Sequence, residues 1–389
     1  MEKIIILRSA VLGDFIISSP ALNFIREKNP EAKIFLFTIQ SAHEKDRNAV
    51  KVYENRKSLP WLELLDKDIM DEIIPMDSLD LNYIVRVLRP KVKEINPTKC
   101  YILTDPLVKW KGNFAKYLLL KILGAHCPIY GWRDFVKSIK EKSKADENFR
   151  CVNHTLSCLE SVLEDKSITD DEVIVRFPIL VPDEGRKKAD QIWKQLHLHD
   201  KRVYVISPGG IKSHKIWPCE NYLKVIKYII SDSRNYILLT GTKKDEKIGQ
   251  EIEKECRTNQ LSNLIGKTNL MELAGILQKA YMLIGNDGGT MHIGDAVGCT
   301  VVAIMPGLEL PRTVEPWHNM KNSLRTNVAC SPCYDFDNCP NKSFECMNSI
   351  KVESVISIIE SAVNNKRSHN SVRVAINRKE RVPVLKILE

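Results

Sequence analysis

A chain of 389 residues is long for one hydrophobic core, and at roughly 100–200 residues per domain it predicts two. Its 43% hydrophobic and 28% charged residues exclude disorder and fibrous repeats. Lys plus Arg exceed Asp plus Glu by 58 to 49, which suits anionic partners, but no nucleic-acid-binding module or basic stripe with interleaved aromatics is present, so nucleic acid is the weakest candidate.

The apolar run Ile4-Ile5-Ile6-Leu7 is cut off by Arg8 and Asp14. That is far short of a signal-peptide core or of the roughly 20 apolar residues of a spanning helix, so a cytoplasmic protein is expected. Lys3 to Leu7 reads as a strand and Ser9 to Asp14 as its turn. A helix is predicted to start at Ser19-Pro20, with Ser19 as cap and Pro20 at the first helical position. Asn29-Pro30 stops it, and Lys33 to Thr38 gives the next strand. A further strand, Cys100 to Thr104, ends at Asp105 and leads to a helical pattern through Lys116 to Leu123. The first half therefore reads as a parallel sheet with helical crossovers.

From about Ile174 to Asp200 the chain passes Pro178, Pro182 and Asp183-Glu184-Gly185 into a charged helix, which reads as an interdomain connection. A second α/β domain follows, with strands at Val203 to Ser207, Tyr236 to Thr240, Met282 to Asn286 and Thr300 to Met305. Helices are expected from Pro218 and near Asp245, Asn269 and Thr290. Such alternation predicts a doubly wound sheet whose ligand site lies beyond the carboxyl ends of its strands.

Two of those strand ends run into glycine-containing turns. In Asn286-Asp287-Gly288-Gly289-Thr290-Met291-His292, small residues let backbone N–H groups approach a diphosphate and the following helix presents its positive end. Asp287 either caps that helix or meets sugar hydroxyls, and His292 lies on the first helical turn, within reach of a phosphate or sugar oxygen. The second turn, Ser207-Pro208-Gly209-Gly210-Ile211-Lys212-Ser213-His214-Lys215-Ile216-Trp217-Pro218, is basic. Lys212 or Lys215 is placed to neutralise a diphosphate, and Trp217-Pro218 either covers the site or serves structurally.

Asp66-Lys67-Asp68 and Asp335-Phe336-Asp337 mimic a metal-binding Asp-x-Asp, but neither follows a strand that would position a divalent ion. Four of eleven cysteines cluster as Cys330, Cys333, Cys339 and Cys346. They offer a structural Zn²⁺ site or a redox-sensitive cluster; without paired Cys-x2-Cys knuckles, buried thiols are the plainer reading, and disulfides are disfavoured in a cytoplasmic protein.

The Gly13-Asp14…Ser19-Pro20-Ala21-Leu22 opening, the Pro208-Gly209…Lys215-x-Trp217-Pro218 turn and the Asn286-Asp287-Gly288-Gly289-x-Met291-His292 turn together resemble the heptosyltransferase family of bacterial lipopolysaccharide synthesis, in consistent order over about residues 1 to 360. The resemblance implies the α/β GT-B architecture, two Rossmann-like domains with parallel sheets facing a central cleft. An acceptor-binding domain would occupy 1–180, a nucleotide-sugar donor domain 181–365 and a basic tail 366–389. It further implies metal-independent, inverting transfer of a heptose or similar sugar from a nucleotide diphosphate to a lipid-linked saccharide acceptor such as a lipopolysaccharide core, with no required cofactor. From its own lysines and arginines, the basic tail could make peripheral contact with anionic lipid headgroups at the inner face of the membrane, a solvated terminus being the plainer reading.

By the same resemblance Asp14 matches the catalytic base and Lys215 the donor-phosphate lysine, while Asp287, Gly288, Gly289 and His292 match the donor turn. Relatives often carry Thr where this chain has Gly288, and hydroxyl side chains where it has Gly210 and Ile211, so part of that contact would pass to Ser213 or the backbone. Asp245 or Glu246 is the candidate for the ribose hydroxyls; without the resemblance, either reads as a helix cap. Rival readings are another GT-B sugar transferase, a nucleotide-sugar epimerase and a catalytically inactive scaffold.

Overall fold

The isoleucine-rich N-terminus forms β1 (Lys3–Ser9), whose Ile4, Ile5 and Ile6 are fully buried. A strand covered on both faces reads as a continuous apolar run, as this one does. The structure is a computed structural model that describes residues 1–9, 12–39, 60–76, 80–103, 110–132, 154–165, 176–335 and 337–370. It divides into two units, Met1–Leu180 and Val181–Glu389.

In the first unit β1 is followed by α1 (Leu12–Lys28), β2 (Lys33–Ile39) and β3 (Glu72–Pro75). A helical run α2 passes through Leu81–Tyr83, the π-wound Ile84–Leu88 and Arg89–Ile95. Then come β4 (Lys99–Ile102), α3 (Trp110–Leu123), β5 (Ile129–Tyr130) and α4 (His154–Leu163). The sheet order is β3-β2-β1-β4-β5, all parallel, with Ile4 of β1 in register with Ile34 and Lys99. Thr104, Asp105 and Ile174, at the ends of sequence-predicted elements, lie outside the described residues.

The first helix corrects the sequence reading. It begins at Leu12 rather than at Ser19, with Pro20 in its interior. A proline there has no N–H to give the carbonyl of residue 16. The Ser19 hydroxyl supplies that bond instead, donating to the Ile16 carbonyl at 2.8 Å, and Ser18 donates likewise to Phe15 at 2.8 Å. Ser19 is thus a buried repair to the helix, and Asp14 falls in the first turn, where the positive end of the helix favours a carboxylate.

The second unit opens with α5 (Asp183–Gln195) and continues through β6 (Arg202–Ser207), α6 (Cys219–Ile230), β7 (Asn235–Leu239), α7 (Glu246–Cys256) and β8 (Leu261–Asn263). It proceeds through α8 (Leu270–Lys279), β9 (Met282–Asn286), α9 (Gly289–Ala296), β10 (Val301–Met305) and β11 (Ser323–Arg325) to α10 (Glu345–Asn348) and α11 (Val352–Asn370). Its sheet runs β11-β10-β9-β6-β7-β8, again all parallel. β6, β7, β9 and β10 sit close to their sequence-predicted positions because each is an apolar run buried on both faces, whereas the short, half-buried edge strands β8 and β11 were not read from the sequence. The last helix carries the chain past the predicted tail boundary at 365, and residues 371–389 lie outside the described residues.

Both sheets place a crevice where the strand order reverses, between β1 and β4 in the first unit and between β6 and β9 in the second. Ligands of open parallel sheets bind at such points, beyond the strands' carboxyl ends. Asp14 lies just after β1, and the two glycine turns follow β6 and β9. Among the described residues no helix is long and apolar enough to cross a membrane.

Candidate active site

In the first unit, Arg8 at the end of β1 is fully buried. Its guanidinium donates to the Leu103 carbonyl beyond β4 at 3.2 Å and to the Asp14 carbonyl at 3.0 Å. One side chain therefore spans the crevice and fixes the backbone that carries Asp14. The sequence reading treated Arg8 only as the end of an apolar run. A charge at the tip of a central, doubly covered strand must find polar partners, which was the available signal.

In the second unit, Asn286 ends β9 and joins both turns. Its amide nitrogen donates to the Pro208 and Gly209 carbonyls at 2.9 and 3.0 Å, while its Oδ1 accepts from the Trp217 amide at 3.1 Å and the Tyr222 hydroxyl at 2.9 Å. All four hydrogen-bonding positions of the side chain are thus used. In the sequence Asn286 appeared as a strand end and as the first residue of the donor turn, without a role of its own; its clamp depends on partners 64 to 78 residues away.

The clamp brings Lys215 to Asp287, with Nζ donating to Oδ2 at 2.7 Å. Burial raises the affinity of the Asp287 carboxyl for its proton, but the charge and hydrogen bond of Lys215, with His292 and Arg325, hold it below the ordinary value of 3.8. Asp287 is not the helix cap. Gly288 occupies that position, and no side chain bonds there. The Asp287 amide donates to the Ile304 carbonyl of β10 at 3.0 Å, which pins the turn and commits that N–H. Beyond it, the amides of Gly289 and Thr290 begin α9, where backbone N–H groups have no intrahelical acceptor. His292 is buried on the first turn of α9, beside Asp287.

The remaining predicted donor residues separate by position. Gly210, Ile211 and Ser213 are exposed along the turn after β6. Lys212 points to a different partner, the Asp337 carboxylate at 3.3 Å, so Lys215 alone of the two lysines reaches the β9 turn. His214 between them is buried and held below its usual range by burial and by the Lys215 and Lys212 charges, against the pull of Asp335 and Asp337. Trp217 covers no ligand surface; it is fully buried in the core, its indole donating to the Ile350 carbonyl at 3.0 Å.

Asp245 and Glu246 also part. The Asp245 Oδ2 accepts from the Thr242 amide and hydroxyl at 2.8 and 2.9 Å, and its Oδ1 accepts from the Gly210 amide at 3.3 Å. That carboxylate braces the two turns. Glu246, exposed at the start of α7, is left as the ribose candidate.

Asp66-Lys67-Asp68 forms a turn in which the Asp66 carboxylate accepts from the Asp68 amide at 3.1 Å, and Phe336 of the second triplet lies outside the described residues. Cys330, Cys333, Cys339 and Cys346 are all partly buried; the Cys333 amide donates to the Gly307 carbonyl at 3.3 Å, and a Cβ added to Gly307 would meet Cys346 Cβ at 3.1 Å and Ser331 Oγ at 2.9 Å. Among the described residues no group of three or more His, Cys, Asp or Glu is placed to hold a metal ion.

Two doubly wound, all-parallel units in one chain, each with its crevice at the strand-order reversal, are the GT-B architecture of glycosyltransferases. The family model of glycosyltransferase family 9 (heptosyltransferase) matches residues 125–343, and the chain belongs to that family; it is a glycosyltransferase. It is 23% identical over 316 residues to lipopolysaccharide heptosyltransferase 3 of Escherichia coli K12, covering 75% of this chain and 79% of that one. The glycosyl transferase family 9 structure from Veillonella parvula superposes with a TM-score of 0.64 at 19% identity, over 94% of this chain and 97% of that one. E. coli heptosyltransferase WaaC, solved with ADP, gives 0.57 at 14% identity over 92% and 99%.

Proposed function

We propose that this glycosyltransferase moves a heptose from a nucleotide diphosphate, ADP-heptose being the first candidate, onto a lipid-linked saccharide acceptor of the lipopolysaccharide-core type. The observation that carries this reading is the Lys215–Asp287 pair, held at 2.7 Å between the two glycine turns. WaaC, solved with ADP, has the same fold, which supports ADP as the nucleotide. The working location is the cytoplasmic face of the membrane, where a lipid-linked acceptor is presented.

The acceptor hydroxyl attacks the anomeric carbon as Asp14 accepts its proton, and attack opposite the leaving group inverts that carbon. The nucleotide diphosphate departs with the electron pair of the glycosidic bond. Lys215 and the first-turn amides of α9 oppose the charge that develops on it. An ammonium has three N–H donors, so its bond to Asp287 is compatible with a phosphate contact. Glu246 would take the ribose hydroxyls, and His292 a phosphate or sugar oxygen. A lysine and a helix terminus supply the positive charge that a divalent ion supplies elsewhere, so transfer proceeds without metal.

The test is transfer from ADP-heptose to a core-type acceptor after exhaustive chelation, with the product's anomeric configuration read by NMR. Inverted product at undiminished rate supports the whole scheme. Retention of configuration, or activity restored only by Mg²⁺ or Mn²⁺, removes the corresponding part, and absence of both donor binding and transfer leaves the inactive scaffold.

A further inference from the structure

Helix α3 turns an apolar stripe away from the core. Phe114, Leu118 and Ile122 recur at every fourth position and are 38%, 43% and 54% exposed, whereas Leu120 and Leu123 on the other side are fully buried. Three apolar residues spaced this way lie on one face of a helix. Helix α2 packs beside it, its Leu88, Val92 and Ile95 sharing a core with Leu120 and Leu123. It too exposes apolar side chains, Leu81 at 74% together with Val85 and Val87.

The charge around this surface is mostly positive, with Asp80 and Glu94 the exposed acids at the two ends of α2. Between Asp105 and Asp134 the sequence contains no acidic residue, and among the described side chains of α3 Lys116 and Lys121 are the cations. On α2, Arg86, Arg89 and Lys93 are exposed, against those two acids. Partly buried aromatics join the stripe to the fold, with the Tyr117 and Trp132 rings 4.3 Å apart and both next to Phe114, at 6.1 and 6.2 Å. Aromatics with a polar edge favour the boundary between hydrocarbon and water.

An apolar stripe bordered by cations is the pattern of a helix that lies in a membrane interface. At 14 residues α3 is about 21 Å long, too short to span the hydrocarbon. A neutral protein partner would account for the apolar residues but would not call for a stretch without acids; an anionic leaflet accounts for both, because each cation near its surface adds attraction.

We propose that the outer face of α3, extended by the exposed residues of α2, docks on an anionic phospholipid leaflet, with Phe114, Leu118 and Ile122 entering the headgroup boundary. This surface belongs to the first unit, far in sequence from the basic tail, and does not depend on the donor chemistry. It would hold the enzyme where a lipid-anchored acceptor is found.

The experiment is flotation of the full-length protein with phosphatidylcholine vesicles, with and without phosphatidylglycerol. The wild type is expected to float with the phosphatidylglycerol vesicles only. The triple variant Phe114→Ser, Leu118→Ser and Ile122→Ser should lose at least about tenfold in affinity, since three apolar side chains no longer leave water. Leu118→Asp alone, at a half-exposed position, is the companion variant should the triple one fail to melt like wild type. Undiminished flotation of a folded variant overturns the proposal and points to the tail, as does a wild type that ignores phosphatidylglycerol. So does a variant that floats normally but loses self-association in sedimentation, which would place a second copy of the chain on this face.

Discussion

Lys215 and Asp287 stand 72 residues apart in sequence and 2.7 Å apart in space, the lysine from the turn after β6 and the carboxylate from the turn after β9. Lys215 is 24% exposed and Asp287 only 8%. Removing the lysine would therefore strand a carboxylate in a site where burial already opposes its charge.

The pair sets a pH signature. In the wild type the folded-state pKa of Asp287 is depressed below 3.8, so its contribution to stability is present above that value and is lost as pH falls through the lowered one. Lys215→Met leaves burial with less opposition and moves the carboxyl upward. The variant's deficit should then grow as pH rises, from small below the lowered wild-type pKa to about 3 kcal/mol at neutrality, the low end for a broken buried pair because the lysine is partly exposed. Urea unfolding across that range measures it. A deficit independent of pH would mean that Asp287 is not the group left behind, and donor affinity of the same preparation should fall with the lost cation.

Asn286→Leu keeps much of the side-chain volume and removes four hydrogen bonds. It leaves two carbonyls, the Trp217 amide and the Tyr222 hydroxyl to find new partners in a buried place. Each such group costs about 1–3 kcal/mol, so a loss of at least about 3 kcal/mol is expected by urea unfolding, together with weaker donor binding. A loss below about 1 kcal/mol would show that the turns hold their shape without the clamp.

The two turns should answer differently to an added side chain. A Cβ on Gly209 would come within 2.1 Å of Asp245 Oδ1, whereas on Gly288, whose φ of 172° is extended backbone, it would meet nothing nearer than 4.0 Å. Gly209→Ala should destabilise by about 1–3 kcal/mol. Combined with Asp245→Ala, part of that cost should disappear in a double-mutant cycle. Gly288→Ser should be neutral or gain a few tenths of a kcal/mol as a helix cap, roughly the difference between these cap residues. Equal losses at the two glycines would contradict the packing described.

Asp14→Asn retains shape and cannot take a proton at neutral pH. If Asp14 is the base, transfer falls by roughly 10²–10⁴-fold while donor affinity, which depends on the second unit, stays near wild type. Calorimetry with the nucleotide, product formation and melting of one preparation separate the two effects. Normal melting with turnover within a few fold of wild type would assign the proton to another group.

The sequence by itself determined the strands and the turns that bear the chemistry. Ile4-Ile5-Ile6 and Met282-Leu283-Ile284 are apolar because both faces of a parallel sheet are covered, and glycine, proline and lysine at the strand ends mark where the backbone can approach an anion. Everything that depended on a distant partner was decided only by the tertiary structure. Lys212 and Lys215 are equal on paper, and the separate positions of Asp337 and Asp287 divide them. Asp245 and Glu246 are adjacent acids, and the approach of the Gly209-Gly210 turn spends one carboxylate and leaves the other exposed. Pro20 looked like a helix start because its missing N–H belongs there; inside α1 the hydroxyl of Ser19 fills the gap, a side-chain bond that residue order does not reveal. Short-range patterns of burial and backbone freedom are written along the chain, whereas a charge's partner is chosen by which strand ends the sheet order sets side by side.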